Sequence, residues 1–235
     1  MSGPTPALTI ERRGPVLVAS MDDGKANALS FDMIAGLRAA VAEVERDDGL
    51  GALVGAGRDR VFSGGYDLGV MVGGDMSQII TLVADGGELV RSLYGATVPV
   101  VAACTGSAVA GGALTLLGCD VRVGADIDCK IGFNEVAIKM VLPDWAFTIA
   151  DARLSRRHLQ RAAANARLTD GVTAVDVGFL DEVVPADQVL ERAVEAATTL
   201  ADTLDPAAYA STVTRLRGDV LATMATQIES DRAAA

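Results

Sequence analysis

Aromatic side chains make up only 4% of this 235-residue sequence. Its interior must therefore be built from Ala, Val, Leu and Ile, and with hydrophobic residues at 50% of the chain there is enough material for a core. Basic residues are also few: 20 Lys and Arg stand against 31 Asp and Glu, a formal charge of −11. That balance excludes a basic stripe of the kind nucleic acid demands and argues against an anionic membrane surface. An anionic small ligand stays compatible if Lys25, Arg58 and Arg60 gather around it, although each taken alone reads as solvated surface charge. Three cysteines (Cys104, Cys119 and Cys129) are too few for a disulfide framework and are not spaced as zinc ligands, so buried free thiols are expected. The single histidine, His158, lies in a cationic helical stretch and reads as surface decoration. A His-rich metal site or a Ser-His hydrolase would have to be built around it, and neither is expected. No uninterrupted apolar run reaches transmembrane length. The opening Met-Ser-Gly-Pro-Thr-Pro lacks the charged and apolar regions of a leader, so a soluble, cytoplasmic protein is expected.

What is abundant is glycine, 25 residues, and it clusters. Between the clusters the pattern is α/β. Leu8–Arg12 and Val16–Met21 read as strands joined at Gly14-Pro15. Ser30 is a candidate N-cap, with Asp32 in the first turn. Ile34, Leu37, Val41 and Val44 recur at helical spacing, which predicts an amphipathic helix over Ser30–Arg46. Gly51–Ala56 is a buried strand, a glycine-rich loop runs from Arg58 to Asp75, and a helix follows over Ser77–Tyr94. Val98–Cys104 is a continuous apolar strand of the kind covered on both faces. Thr105–Gly112 is a turn feeding a short helix through Leu117. Val121–Gly124 and Glu182–Val184 are further strands. After Pro143 the pattern is mostly helical, closing with one or two Ala-rich helices over Pro206–Ala235.

Two places share one grammar: apolar strand, glycine-rich turn, helix. They are Val61-Phe62-Ser63-Gly64-Gly65-Tyr66-Asp67-Leu68 and Thr105-Gly106-Ser107-Ala108-Val109-Ala110-Gly111-Gly112-Ala113-Leu114. Glycine lets backbone approach a ligand closely, and amides at a helix start have no intrahelical acceptor. Two such donors converging on one carbonyl oxygen form an oxyanion hole; taken singly, each turn reads as a tight connection. A dinucleotide fingerprint fails, because Arg60 occupies its third glycine position after Gly55 and Gly57, and Ser107 is not in a nucleophile elbow. Glu135 lies between Ile131-Gly132-Phe133-Asn134 and Val136-Ala137-Ile138. A carboxylate in such apolar surroundings has a raised pKa suited to general-base work, and equally it reads as an acid at a helix start.

In order along the chain, Lys25-Ala26-Asn27-Ala28-Leu29, Phe62-Ser63-Gly64-Gly65-Tyr66-Asp67-Leu68, Ala110-Gly111-Gly112 with Cys119-Asp120 downstream, and Gly132-Phe133-Asn134-Glu135 resemble motifs of the crotonase superfamily, the enoyl-CoA hydratase/isomerase family. The resemblance runs from about Leu8 to Val184. It implies an α/β fold: a crotonase-like spiral of ββα units carrying the active site over residues 1–185. A C-terminal helical subdomain, residues 186–235, would serve trimerisation, so a homotrimer or hexamer is expected. It implies an acyl-CoA thioester as substrate, with coenzyme A part of that substrate, no further cofactor and no metal. Position by position, it assigns the oxyanion hole to the N–H groups of Tyr66 and Gly111 and the catalytic carboxylate to Glu135. It assigns CoA and thioester contacts to Lys25, Ala26, Ala28, Leu29, Gly64, Gly65, Asp67 and Leu68.

The family's hydratases use a second glutamate three residues after the second oxyanion glycine, where this chain has Leu114. One base suffices to move a double bond from C3 to C2, and the pattern looks most like the family's single-glutamate 3-enoyl-CoA to 2-enoyl-CoA isomerases. Leu114 and Trp145, the latter in Leu142-Pro143-Asp144-Trp145, would then wall the acyl pocket. Lys139 stands where the family often has glycine, so that it could reshape the pocket or pair with a carboxylate, and the helical tail is short for the family. Alternatives are a hydratase or another crotonase-type reaction, since the fold does not choose among them, and a non-catalytic acyl-CoA-binding protein, for which Leu114 is the motive.

Overall fold

The computed structural model describes residues 7–73 and 75–233. Residues 1–6, Gly74 and residues 234–235, which fall in the opening segment, the glycine-rich loop and the expected last helix, lie outside them. Strand β1 (Leu8–Arg13) turns through Gly14, at φ +60°, into its antiparallel partner β2 (Val16–Met21). From β2 onward one unit repeats: a strand in a large sheet, a shorter strand in another layer, then a helix. The first turn is β2, β3 (Ala28–Leu29) and α1 (Phe31–Val44); the second is β4 (Ala52–Ala56), β5 (Arg60–Ser63), β6 (Gly65–Tyr66), α2 (Leu68–Val72) and α3 (Met76–Tyr94). The third is β7 (Val100–Cys104), β8 (Gly106–Val109) and α4 (Gly111–Leu117), and the fourth β9 (Val121–Ala125), β10 (Ile131–Gly132) and α5 (Asp144–Arg153). Then come α6 (Arg156–Ala163), α7 (Gly171–Val177), β11 (Glu182–Val184), α8 (Val189–Thr203) and α9 (Pro206–Ala233). This is the ββα spiral the resemblance implies.

The large sheet is six-stranded, in the order β1-β2-β4-β7-β9-β11; β10-β8-β5 form a second sheet and β3-β6 a third. Beyond the β1–β2 hairpin the pairings are parallel, as crossovers through a layer and a helix require. Strand period sorts the side chains. Leu17, Ala19 and Met21 of β2 join the main core with α1, α3 and α4. Val16 and Val18, with Val54, Val101 and Val123, face the other way and are covered by Val189, Ala193 and Ala197 of α8. The helix that opens the expected C-terminal subdomain thus supplies the second face of the sheet.

Local chemistry explains most boundaries. Ser30 caps α1, its hydroxyl accepting from the Met33 amide at 3.2 Å, and Asp75 caps α3 in the same way through Gln78. The tail is one helix, α9, of 28 residues. It is pinned by Asp120, which takes an ion pair from Arg217, a bond from the Tyr209 hydroxyl at 3.0 Å and one from the Val100 amide at 2.8 Å. Arg217 also lies over the Tyr94 ring at 4.6 Å and donates to the Tyr94 carbonyl. Among the described residues no helix is long and apolar enough to cross a membrane.

Several expectations need correction. The glycine-rich loop from Arg58 to Asp75 contains β5, β6 and α2, and the turn at Thr105–Gly112 contains β8. These strands have two to four residues and pair outside the large sheet, β5 with β8, β8 with β10 and β6 with β3, so no local periodicity announces them. His158 is not surface decoration: its side chain is only 13% exposed, and its ring bonds Asp176 at 2.9 Å. Of the candidate cations, Arg58 is half-buried and tied down, whereas Arg60 is exposed, as the surface reading expects. Arg58 pairs with Asp22 and donates to the Lys25 carbonyl, and Arg60 reaches the Asp128 carbonyl. The cysteines are buried free thiols, as expected.

Candidate active site

The segments singled out in the sequence meet because β3 pairs with β6. Ala28 lies opposite Gly65 and Leu29 opposite Tyr66, which brings the Lys25–Leu29 segment onto the first glycine turn. The Gly64 amide donates to the Ala26 carbonyl at 2.7 Å and the Asp67 amide to the Leu29 carbonyl at 3.3 Å. The Gly65 amide donates to the Ser63 hydroxyl oxygen at 3.2 Å. The amides on both sides of Tyr66 are therefore satisfied, and strand alternation turns the intervening Tyr66 N–H away from β3.

The second glycine turn lies against the first. Gly65 has φ +96°, and a Cβ there would meet the Val109 carbonyl at 3.0 Å, the Ala110 methyl at 3.1 Å and the Gly111 nitrogen at 3.4 Å. At Gly112 a Cβ would overlap the Ser63 carbonyl. Glycine is needed at both places for closeness as well as conformation. Gly111 is the first residue of α4; among the described residues no acceptor bonds its amide, and Ala110 supplies no side-chain cap. Ala110 itself has φ 54° and ψ −123°, a conformation natural to glycine and strained for alanine. Two loops thus carry two amides, those of Tyr66 and Gly111, on neighbouring backbone beside one cavity.

That cavity has a volume of about 140 Å³ and is lined by Gly64, Tyr66, Leu68, Ala110, Leu114 and Glu135, together with Met71 and Val83 of the α2–α3 region and Ile138, Met140, Val141 and Pro143. Glu135 is 8% exposed, and its Oε2 has no hydrogen-bond partner. Burial pushes its carboxyl above the ordinary range, the nearby amides of Glu135 and Asn134 offsetting part of the effect. Leu114, 1% exposed, fills the wall where a second acid would stand. Glu135 is the one carboxylate among the lining residues. Among the described residues no group of His, Cys, Asp and Glu could hold a metal ion.

Not every expected residue reaches the cavity wall. Trp145 is wholly buried, and a Cβ on Gly87 would touch its ring and Ile228; it packs the core behind Pro143 and does not wall the pocket. The side chain of Asp67 caps α2 by accepting from the Gly69 amide at 2.7 Å. Lys139 is exposed, forms no ion pair among the described residues and sits at φ +66°, closing a turn of 3-10 helix. That left-handed position explains glycine as the natural occupant, and it neither reshapes the pocket nor pairs with a carboxylate. Lys25 and Ala26 are exposed beside the cavity, with Ala26 against Gly64.

Sequence reasoning missed Asn27 as a site organiser. It is fully buried at φ 49°, and its amide group donates to the Met21 and Phe62 carbonyls at 2.9 and 3.2 Å. Its own carbonyl accepts from the Ser63 hydroxyl at 2.7 Å. Asn27 thereby fastens one glycine turn to the Lys25–Leu29 segment. Its place within that segment was the available signal; Met71, Val83, Met140 and Val141 gave none.

The family model described as enoyl-CoA hydratase/isomerase matches residues 11–234. The mitochondrial enoyl-CoA delta isomerase 1 of Mus musculus is 32% identical over 188 residues, 78% of this chain and 65% of that protein. A probable enoyl-CoA hydratase of Rhizobium meliloti is 30% identical over 209 residues, 86% of this chain and 77% of that protein. Among solved structures, an enoyl-CoA isomerase of Mycobacterium tuberculosis aligns with a TM-score of 0.91 at 40% identity, over 97% of this chain and 98% of that one. The chain spans 61% to 65% of the length of the mammalian mitochondrial isomerases it matches.

Proposed function

This chain belongs to the enoyl-CoA hydratase/isomerase family; from that premise we propose that it is an enzyme that shifts the double bond of a 3-enoyl-CoA to the 2-position. The thioester oxygen sits between the N–H groups of Tyr66 and Gly111. Glu135 takes a proton from C2, the released electron pair forms the C1=C2 bond of a dienolate, and negative charge gathers on the thioester oxygen, where the two amides meet it. Fixed donors of this kind contribute ~3–4 kcal/mol each in enzymes that use them. The same carboxyl then returns the proton at C4; the carbonyl re-forms and C1=C2 becomes C2=C3. One proton leaves and one arrives, no oxidation state changes, and the step asks for no redox partner. The Lys25–Leu29 segment, with Gly64, Gly65, Asp67 and Leu68, guides the CoA portion toward this point.

A single observation carries the isomerase over the hydratase: Glu135 is the one carboxylate among the residues that line the cavity, and Leu114 is part of the same wall. Adding water across a double bond by the family's two-acid scheme needs a second acid to activate or protonate. Hydration is the second reading, favoured by similarity to a probable hydratase. Incubating the protein with 3-hexenoyl-CoA and, separately, 2-hexenoyl-CoA distinguishes them. The expected result is conjugated 2-hexenoyl-CoA from the first and no 3-hydroxyacyl product from either. Rapid hydration of the second would overturn the single-base scheme, and no reaction with either would favour a binding protein. We also propose a trimer or hexamer, to be checked by light scattering.

A further inference from the structure

A large side chain stands at the inner end of the cavity where its surroundings are glycine. The Tyr66 ring lies across Gly111, where a Cβ would come within 3.2 Å of both Cε2 and Cζ. On its other side the ring is seated on Gly86 of α3, where a Cβ would overlap the hydroxyl and the ring edge. Glycine weakens a helix interior, so the notch at Gly86 is a local sacrifice that makes room for the phenol. The hydroxyl's contact with the Val83 carbonyl is 3.5 Å long, at the outer limit of a hydrogen bond. Shape therefore holds the ring more than polar bonding does. Burial, and after it the charge of Glu135, raises the phenol's pKa and keeps it neutral. The opposite end of the cavity is apolar and open: Leu68 is 73% exposed, Ile138 53%, Met140 37% and Val141 83%, and all four line it.

We propose that the side chain of Tyr66 is a specificity-determining wall that closes the space between α3 and α4 and turns the acyl chain outward over Leu68, Ile138, Met140 and Val141, so that the substrate class is a straight-chain acyl thioester reaching the cavity mouth. The proposal rests on the reading of this cavity as the acyl site. It is separate from the role given to the Tyr66 N–H, which Tyr66→Ala retains.

Unreactive saturated thioesters test it by calorimetry without requiring a particular reaction. Wild-type protein is expected to bind dodecanoyl-CoA at least tenfold tighter than hexanoyl-CoA; equal affinities would overturn the outward route. In Tyr66→Ala, 4-phenylbutanoyl-CoA is expected to gain at least tenfold relative to hexanoyl-CoA, because an apolar hole the size of a ring accepts an aromatic guest. Gly86→Ala pushes the phenol into the cavity and is expected to weaken hexanoyl-CoA at least tenfold while free CoA stays within twofold. Gly86→Ala improves helix propensity, so it carries the test should Tyr66→Ala fail to fold. Folded variants that keep the wild-type preferences would overturn the wall alone. Wild-type protein that binds acyl-CoAs no better than free CoA would instead overturn the reading of the cavity, and the wall with it.

Discussion

At the residue scale, one buried carboxylate does two opposing things. Glu135 has an unpartnered oxygen and a pKa raised by desolvation, which favours a base that must pick up and release a proton near neutrality. The same shift works against folding. A carboxyl whose folded pKa lies above its unfolded value near 4.5 contributes stability that is fully present below that value and is lost as pH rises through the folded pKa. Glu135→Gln removes the charge and keeps the shape. It is expected to lower turnover on 3-hexenoyl-CoA by about 10²–10⁴-fold, the usual worth of a general base. It is also expected to raise Tm relative to wild type at pH 8, the gain vanishing near pH 4. Calorimetric scans at the two pH values, beside a rate assay, check both parts; a Tm gain of equal size at both would mean that desolvated charge is not its cause.

At the element scale, the strained feature is the short link between β8 and α4. Ala110 holds a conformation proper to glycine, while its methyl stands beside Gly65 and the next amide is the proposed donor of Gly111. Strain of this type costs ~1–3 kcal/mol, and glycine's extra unfolded-state freedom returns about 0.5–1 kcal/mol of that. Ala110→Gly is accordingly expected to stabilise the fold by about 1 kcal/mol in urea titration and to lower kcat several-fold, because the peptide carrying the Gly111 N–H becomes freer to turn. A stabilised variant with full activity would separate the strain from catalysis. Neighbouring elements show the same division of labour: β3 and β6 are only two residues each, too short to stand alone, and Asn27 and Ser63 fasten them with side-chain bonds.

At the scale of the whole molecule, α9 packs back on α3 and α5, so the helix carrying the Gly86 notch is clamped from outside. The clamp is electrostatic at its centre. The side chains of Arg217 and Asp120 are 10% and 13% exposed, and removing one partner of a buried pair leaves the other uncompensated, at ~3–5 kcal/mol. Arg217→Ala is expected to lower Tm by about 10 °C in a chain of this size; a change within 2 °C, against that estimate of roughly 2–4 °C per kcal/mol, would show that apolar packing alone holds the helix.

Much of this was open to the sequence by itself. Apolar runs such as Val98–Cys104 identify buried strands because a sheet covered on both faces tolerates nothing else. Ser30 and Asp32 mark the start of α1, and the order of four motifs from Lys25 to Glu135 carries the family. Those signals are local or ordered along the chain, and chemistry fixes them before any contact forms. The tertiary structure alone decided what meets what: that Tyr66 lies on Gly86 and Gly111, that Trp145 turns into the core while Met140 and Val141 reach the cavity, and that Asp120 is a staple for α9. Each depends on residues tens of positions apart, brought together by the winding of the spiral. One-dimensional patterns record the period of an element, but they do not record which neighbour its face will find.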